Sequence, residues 1–379
     1  MADRRRGKLK LLHISDLHLG ISFLGEPLLE YQRAFCDFLA ETAVKRKVRA
    51  VLVSGDVFDR AVSSAEAIAL YDDWITKLCL KHGIAVCMIA GNHDGAERLA
   101  SCSALLRHAG FYVAGRLQSP LVPICLEEEG EAVEIYLLPY FQPEEARAVL
   151  ENSEIRTMEQ AMAELFAGIQ KEGSIRRILL AHCFAAGGET SDSDRAALVG
   201  GASRVGAEVF SAFDYVALGH LHRPQNIGQN MRYAGSPLKY SFSEENQQKS
   251  MTLLDTRTME REEIPVPPFY GCKTIRGARE EVWREEPDAQ NFIRIEVTDE
   301  PMTSILHETL KEKFPHLLVA LGRRPETMRH GHTVEEMHQL TPESLLDAFL
   351  METAGQPPSA AEREWFKKAL DAVQQADMQ

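Results

Sequence analysis

The chain has 379 residues, 45% of them hydrophobic and 26% charged, with a net charge of −14. At roughly 150 residues per domain this is a soluble globular composition with room for two or three domains. It excludes a disordered, collagen-like or low-complexity chain, and no apolar run approaches the ~18 residues of a membrane span.

The N-terminus, MADRRRGKLK, is basic and is followed by no signal-type apolar stretch, which predicts a cytoplasmic protein. Strand-like β-branched runs are expected at Leu9–Ile14, Ala50–Val53, Ile84–Ile89, Val133–Leu138, Ile178–Ala181, Tyr215–Leu218 and Met251–Leu254. Helix-like stretches lie between them at Leu28–Lys47, Ser64–Lys81, Glu97–His108 and Glu154–Lys171. Strands alternating with helices imply an α/β domain with helices over the sheet faces. Glu127-Glu128-Glu129-Gly130 reads as a solvated hairpin loop. The prolines of Ile264-Pro265-Val266-Pro267-Pro268 read as a linker. Beyond it, a strand-like Phe292–Val297, a helix-like Thr303–Lys313 and a strand-like Leu317–Leu321 suffice for a small α+β domain. A polar stretch at Arg329–His332 follows, then amphipathic helices at Pro342–Thr353 and Ala360–Gln375, parted by Gly355-Gln356-Pro357-Pro358.

The seven cysteines are scattered, odd in number and form no CxxC pair. Buried reduced thiols are expected, with no disulfide framework and no cysteine zinc site. The negative charge taken alone argues against nucleic acid, because phosphate binding uses Lys and Arg. A metal site also spends carboxylates, and bound divalent cations locally reverse their sign.

Five expected strands end in metal-type ligands. They are followed by Asp16-Leu17-His18, by Gly55-Asp56-Val57-Phe58-Asp59, by Gly91-Asn92-His93-Asp94, by His182 and by Gly219-His220-Leu221-His222. Any one of these alone is an ordinary turn, cap or buried histidine. Ligands of open α/β sheets bind beyond the carboxyl ends of the strands, so five such clusters converge on one face. Carboxylate, imidazole and amide oxygen without thiolate suit Mn²⁺, Fe²⁺ or Zn²⁺. The donors are too many for one tetrahedral ion and enough for two, the arrangement used for in-line attack on phosphate esters.

With Leu12-His13-Ile14-Ser15-Asp16-Leu17-His18-Leu19-Gly20, Ser54-Gly55-Asp56-Val57-Phe58-Asp59, and Tyr233-Ala234-Gly235-Ser236-Pro237 followed by Ser241-Phe242-Ser243-Glu244, the sequence resembles the calcineurin-like metallophosphoesterase superfamily, in its DNA-repair nuclease branch. The resemblance runs from about Leu9 to Asp255. It implies a metallophosphoesterase β-sandwich flanked by helices over 1–268, a small α+β DNA-capping domain over 269–335, and C-terminal partner-binding helices over 336–379. It also implies that Asp16, His18, Asp56 and His222 hold one metal. Asp56 would bridge to a second, completed by Asn92, His182 and His220. His93 would act at the scissile phosphate as proton donor or charge stabiliser, with Asp59 as its orienting partner.

The function implied is a Mn²⁺-dependent DNA nuclease subunit, a 3′–5′ exonuclease on duplex ends and an endonuclease on single strands or hairpins. Its partners would be DNA, an SMC-family ATPase bound through Leu345, Leu346, Phe349, Leu350, Trp365, Phe366, Ala369, Leu370 and Val373, and a second copy of the chain within a heterotetramer. A phosphatase or nucleotide phosphodiesterase on the same scaffold is the alternative substrate class. The homodimer surface is expected on Ile68, Tyr71, Trp74, Ile75 and Leu78 with Leu99, Leu105 and Leu106. Arg204, Arg223, Lys239 and Arg323-Arg324 are candidate phosphate contacts.

Overall fold

Period-two alternation decides how the strands pack. Leu11, Ala50, Leu52 and Cys87 point to one side of their sheet, and Leu12, Val51, Val53 and Val86 to the other. The computed structural model describes residues 9–128, 130–169, 175–192, 194, 204–323, 341–354 and 357–376. Gly331, Arg324, Lys171 and the Arg329–His332 stretch lie outside the described residues, as do Glu129 and Gly355-Gln356.

The chain divides into two units, one formed by residues 1–274, 287–294 and 314–318, the other by 275–286, 295–313 and 319–379. The first holds two six-stranded sheets. One has the order Arg261–Pro265, Ser250–Asp255, Lys10–Ile14, Ala50–Ser54, Ala85–Ile89, Phe111–Ala114. Its last four strands are parallel. The other has the order Gln225–Ile227, Met231–Tyr233, Tyr215–Gly219, Arg176–His182, Glu131–Leu138, Ile124–Glu128. Tyr215–Gly219 and Arg176–His182 are parallel within it.

Three apolar layers follow from the alternation. Leu11, Leu52 and Ile89 of one sheet share a cluster with Ile135, Leu180 and Ala217 of the other, so the sheets are stacked face to face. On its far face the first sheet packs Val53 and Met88 against Phe35, Leu39, Leu70 and Trp74. The second packs Leu179 and Leu218 against Met158, Met162 and Phe166. This is the expected α/β sandwich flanked by helices.

Local chemistry shaped several elements differently from expectation. The helix expected over 64–81 runs Ala65–Thr76, opened by Ser64 accepting the Ala67 N–H, and then widens into a π turn at Lys77–Lys81. The one expected over 97–108 is two short helices, Ala96–Leu99 and Ser103–Leu106, parted by Cys102 at φ 58. Residues expected as a linker at 264–268 begin instead as the end of the Arg261–Pro265 strand, and Val266 is buried in the core. That strand is at the sheet edge, where the missing proline N–H removes no ladder bond.

In the second unit, helices span Arg279–Arg284, Ser304–Lys313, Pro342–Ala354 and Ala360–Ala376. The strands Gly271–Gly277, Asn291–Val297 and Leu317–Leu321, whose residues are divided between the two units, form a three-stranded sheet in that order. Among the described residues no helix is long and apolar enough to cross a membrane.

Candidate metal centre

Parallel strands deliver their carboxyl ends to one edge. Lys10–Ile14, Ala50–Ser54 and Ala85–Ile89 of one sheet and Arg176–His182 and Tyr215–Gly219 of the other end at the ligand motifs. Glycine makes the meeting of the two sheets possible. A Cβ on Gly219 would lie 1.8 Å from the Ser54 carbonyl oxygen, and one on Gly55, at φ +88, would lie 2.4 Å from His182 Nδ1. The backbone is strained at the ligands themselves: Asp16, His18, Asp56 and His220 all have positive φ, at 53, 44, 49 and 105. Non-glycine residues hold such angles only where their surroundings over-determine them, and they gather at functional sites.

All seven sequence-predicted metal ligands come together. Asp56 Oδ2 is 3.7 Å from His18 Nε2 and 3.3 Å from His182 Nε2. His18 Nε2 is 3.2 Å from His222 Nε2. Asn92 Oδ1 is 3.0 Å from His182 Nε2 and 3.1 Å from His220 Nδ1. Asp16 Oδ1 accepts the His220 backbone N–H at 2.9 Å. Three triads of ligand atoms lie within 4.8 Å of one another among the described residues: Asp16–His18–His222, Asp16–Asp56–His182 and His18–Asp59–His93. All but Asn92, Asp59 and His93 are buried.

Protonation follows burial and neighbours. Burial lowers His18 and His220 to about 3. Burial alone would raise Asp56, but the imidazoles of His182, His18 and His93 outweigh it and hold the carboxyl below the usual carboxylate range. His182 is the complement: burial opposes its charge, yet Asp56 lifts it to about 9. Asp16 is raised to about 6, chiefly by burial. His182 Nδ1 meets the Ser54 carbonyl at 2.8 Å, so that nitrogen carries the hydrogen and Nε2 is the donor atom for a metal.

Does the cluster fit cations? Two of its buried atoms, Asp16 Oδ2 and His18 Nδ1, have no hydrogen-bond partner among the described residues. His18 and His222 direct Nε2 at each other at 3.2 Å, so without a metal one ring must place a hydrogen between them, and a cation can take that hydrogen's place. Carboxylate, imidazole and amide donors so arranged fit divalent first-row cations.

His93 and Asp59 differ from expectation. His93 is exposed and its Nδ1 is 3.0 Å from the main-chain carbonyl of Asp59, not from its carboxylate. A carbonyl only accepts, so Nδ1 carries a hydrogen and Nε2 is the atom that exchanges a proton. The Asp59 carboxylate instead lies 4.0 Å from His18 Nδ1 and pairs with Arg60. The cleft above the cluster has a volume of about 230 Å³ and includes Asp59, His93, Asp194 and Tyr240 in its wall.

Sequence reasoning missed the residues that brace these loops. Asp94 accepts the backbone N–H groups of Val57, Phe58 and Gly91, tying the second and third ligand loops together. Its place in Gly91-Asn92-His93-Asp94 was the available signal. Gln32 donates to the Leu17 and His18 carbonyls and accepts from Gly20 N–H. Buried Asp194, Glu244 and Lys249 surround His222. Asp194 and Lys249 carry no motif that would single them out.

Residues 9–224 match the family model described as calcineurin-like phosphoesterase, and residues 272–354 match that described as type 5 capsule protein repressor C-terminal domain, SbcD_C. The chain belongs to the calcineurin-like phosphoesterases, as an SbcD-like nuclease. It is 31% identical over 319 residues to the SbcD subunit of the nuclease SbcCD of Staphylococcus epidermidis, covering 82% of this chain and 84% of that protein. Two solved structures are similar in part. TT1561 of Thermus thermophilus is 14% identical over 69% of this chain and 100% of that one, with a TM-score of 0.39. GAP50, the anchor in the inner membrane complex of Plasmodium, is 9% identical over 68% of this chain and 89% of that one, with a TM-score of 0.40.

Proposed function

We propose that this SbcD-like chain is the nuclease subunit of a complex with an SbcC-like SMC-family ATPase, cutting DNA phosphodiesters with Mn²⁺ as a 3′–5′ exonuclease on duplex ends and an endonuclease on single strands and hairpins. The observation that carries the reading is the buried pairing of His18 and His222 Nε2 at 3.2 Å beside the unpartnered Asp16 Oδ2. Asp16, His18, Asp56 and His222 would hold one ion, and Asp56, Asn92, His182 and His220 the other. Bound there, the pair supplies positive charge to the phosphoryl oxygens and a water of lowered pKa. The chain's own contribution is His93. Held through Nδ1 by the Asp59 carbonyl, it offers Nε2 to the leaving oxygen as a proton donor or to the phosphoryl group as a charge stabiliser.

The domain reading is 1–268 for the nuclease, 269–335 for an α+β cap and 336–379 for helices that dock the ATPase, with a homodimer inside a heterotetramer and a cytoplasmic location. Of the expected dimer stripe, Trp74, Leu78 and Leu99 are buried in the chain's own core, while Ile68 and Leu105 are 50% and 71% exposed and remain for a second copy. Among the candidate phosphate contacts, Arg223 pairs with Glu189 and Lys239 Nζ donates to the Glu245 carbonyl, while Arg204 stacks on Phe184 at 5.1 Å and is the better choice of the three. The test is incubation with Mn²⁺ and either labelled DNA or a chromogenic phosphate diester. Cleavage of DNA is expected. Turnover confined to the small ester would make the chain a phosphodiesterase of small molecules, and turnover of neither would make it a scaffold.

A further inference from the structure

A buried lysine and a buried glutamate lie behind one metal ligand. Lys249 Nζ, with three hydrogens to give, lies within hydrogen-bond distance of four oxygens: the His222 carbonyl at 2.8 Å, Ser236 Oγ at 2.9 Å, Glu244 Oε2 at 2.6 Å and Gln247 Oε1 at 3.0 Å. Glu244 is fully buried, and its other oxygen, Oε1, is 3.7 Å from His222 Nδ1 and accepts from Ser241 Oγ at 3.2 Å. One ammonium therefore grips the main chain of His222 and, through Glu244, faces its ring. A buried ion pair contributes little to stability compared with apolar residues of the same volume, because desolvation offsets the attraction. Its use here has to be sought in what it orients.

We propose that Glu244, clamped by Lys249, is a positioning residue for His222: it takes the Nδ1 hydrogen, fixes the ring, and thereby presents the Nε2 lone pair to the metal. This rests on reading the cluster as a metal centre. Asp194 is the competing partner, at 3.5 Å from the same nitrogen. Its carboxylate is engaged with the loop: Oδ1 accepts the His222 N–H at 3.3 Å, and Oδ2 accepts Ser191 N–H at 2.7 Å and Ser191 Oγ at 2.8 Å. Glu244 meets His222 at the ring instead. Asp194 thus shapes the loop, and Glu244 sets the ring. A carboxylate behind a metal-bound histidine fixes its tautomer and raises its basicity, and its loss typically weakens metal binding about 10–100-fold.

The test is Mn²⁺ titration of the full chain by calorimetry, for the wild type, Glu244→Gln and Asp194→Asn, with thermal unfolding of each metal-free protein. Glu244→Gln is expected to weaken one of two Mn²⁺ sites by about 10–100-fold and to leave the other unchanged, while its metal-free unfolding temperature falls because Lys249 is left buried without its carboxylate. Wild-type affinity at both sites in Glu244→Gln overturns the proposal, as does equal weakening of both sites, or a selective loss in Asp194→Asn alone. A second measurement needs no variant at position 244. In ¹⁵N-histidine-labelled protein loaded with diamagnetic Zn²⁺, the His222 signals, assigned by their loss in His222→Gln, should show the hydrogen on Nδ1. A hydrogen on Nε2 overturns the proposal. If the wild type takes up no Mn²⁺ at all, the metal-centre reading itself falls, an outcome distinct from the others.

Discussion

His18 Nε2 lies 3.2 Å from His222 Nε2, across 204 residues of sequence. Burial lowers His18 to about 3, so it is neutral at any working pH. His222 has the opposite tendency: burial opposes its charge, but Glu244 and Asp194 raise it. In the metal-free protein His222 is thus the partner that carries the hydrogen between the two rings, and His182, lifted to about 9, carries another.

Metal uptake should therefore release protons. At pH 7 His182 is protonated without metal and must become a neutral ligand with it. Calorimetry of Mn²⁺ binding in buffers of different ionisation enthalpy should give a net release, and affinity should rise with pH from 7 towards 9. A binding enthalpy independent of the buffer would contradict these protonation states.

Asp56 should be the costliest ligand to lose. Its Oδ2 lies near both His18 and His182, at 3.7 and 3.3 Å. Asp56→Asn removes the negative charge shared by both cation positions. Nuclease activity should be lost with the fold kept, as read by circular dichroism, and metal analysis should find fewer than two ions. A variant with two ions and normal DNA cleavage would show that Asp56 does not bridge.

His93→Gln should separate chemistry from metal content. The ring is exposed and anchored by a carbonyl, outside the buried ligand set. Removal of a proton donor lowers rate by about 10²–10⁴-fold. Metal content should stay at the wild-type value while cleavage falls by that order. A parallel loss of metal would make His93 a ligand, as the His18–Asp59–His93 triad permits. Because the anchor is the Asp59 carbonyl, Asp59→Ala should leave the His93 contact in place and act instead through the charge beside His18.

The ligand loops were legible because parallel strands put their carboxyl ends on one edge, so a motif following each strand is a statement about place as well as type. The bracing was not. Asp94 binds three backbone N–H groups, and nothing in its identity separates that duty from metal binding. The Asp59 contact runs through main chain, which side-chain letters do not describe. Cys102 breaks a helix by adopting φ 58, an angle cysteine gives no sign of favouring. Pro265 read as a linker because proline interrupts strands, and the edge position that tolerates it is a property of sheet order.

Acid should destabilise the metal-free protein partly through His13. Its ring is fully buried between the sheets, held by Tyr215 Oη at 2.9 Å and Ser54 Oγ at 3.1 Å, and burial with the charge of Arg232 lowers it from 6.5 to about 3. Between those pH values only the unfolded chain binds this proton. The stabilisation is complete above pH 6.5 and falls by about 1.4 kcal/mol for each unit below it. Urea unfolding in chelator between about pH 6.5 and 5 should lose about one proton's worth of slope in His13→Gln, whatever that variant's starting stability. An unchanged slope would mean that His13 is protonated in the folded state.

The last helix should be the handle for the ATPase. Ala360–Ala376 lies beyond both matched family regions, which end at 224 and 354. Trp365 on it is 73% exposed, and Phe366 beside it is half-buried. Arg363 is tied to Asp347 of the preceding helix at 2.8 Å, so the two helices keep a relation to each other while the tryptophan stays open to solvent. An exposed tryptophan next to a phenylalanine is the kind of anchor that a helix lays into a partner's groove. Its exposure here has a cost that docking would remove. Deleting residues 360–379 should leave Mn²⁺-dependent cleavage of single-stranded DNA unchanged. It should abolish co-purification with the ATPase and ATP-dependent cutting of duplex ends. Trp365→Ala alone should weaken the association by about 2 kcal/mol or more, in the range of an interface anchor. Stoichiometric co-purification of the shortened chain would move the docking surface to the helix Pro342–Ala354 or to the rest of the second unit.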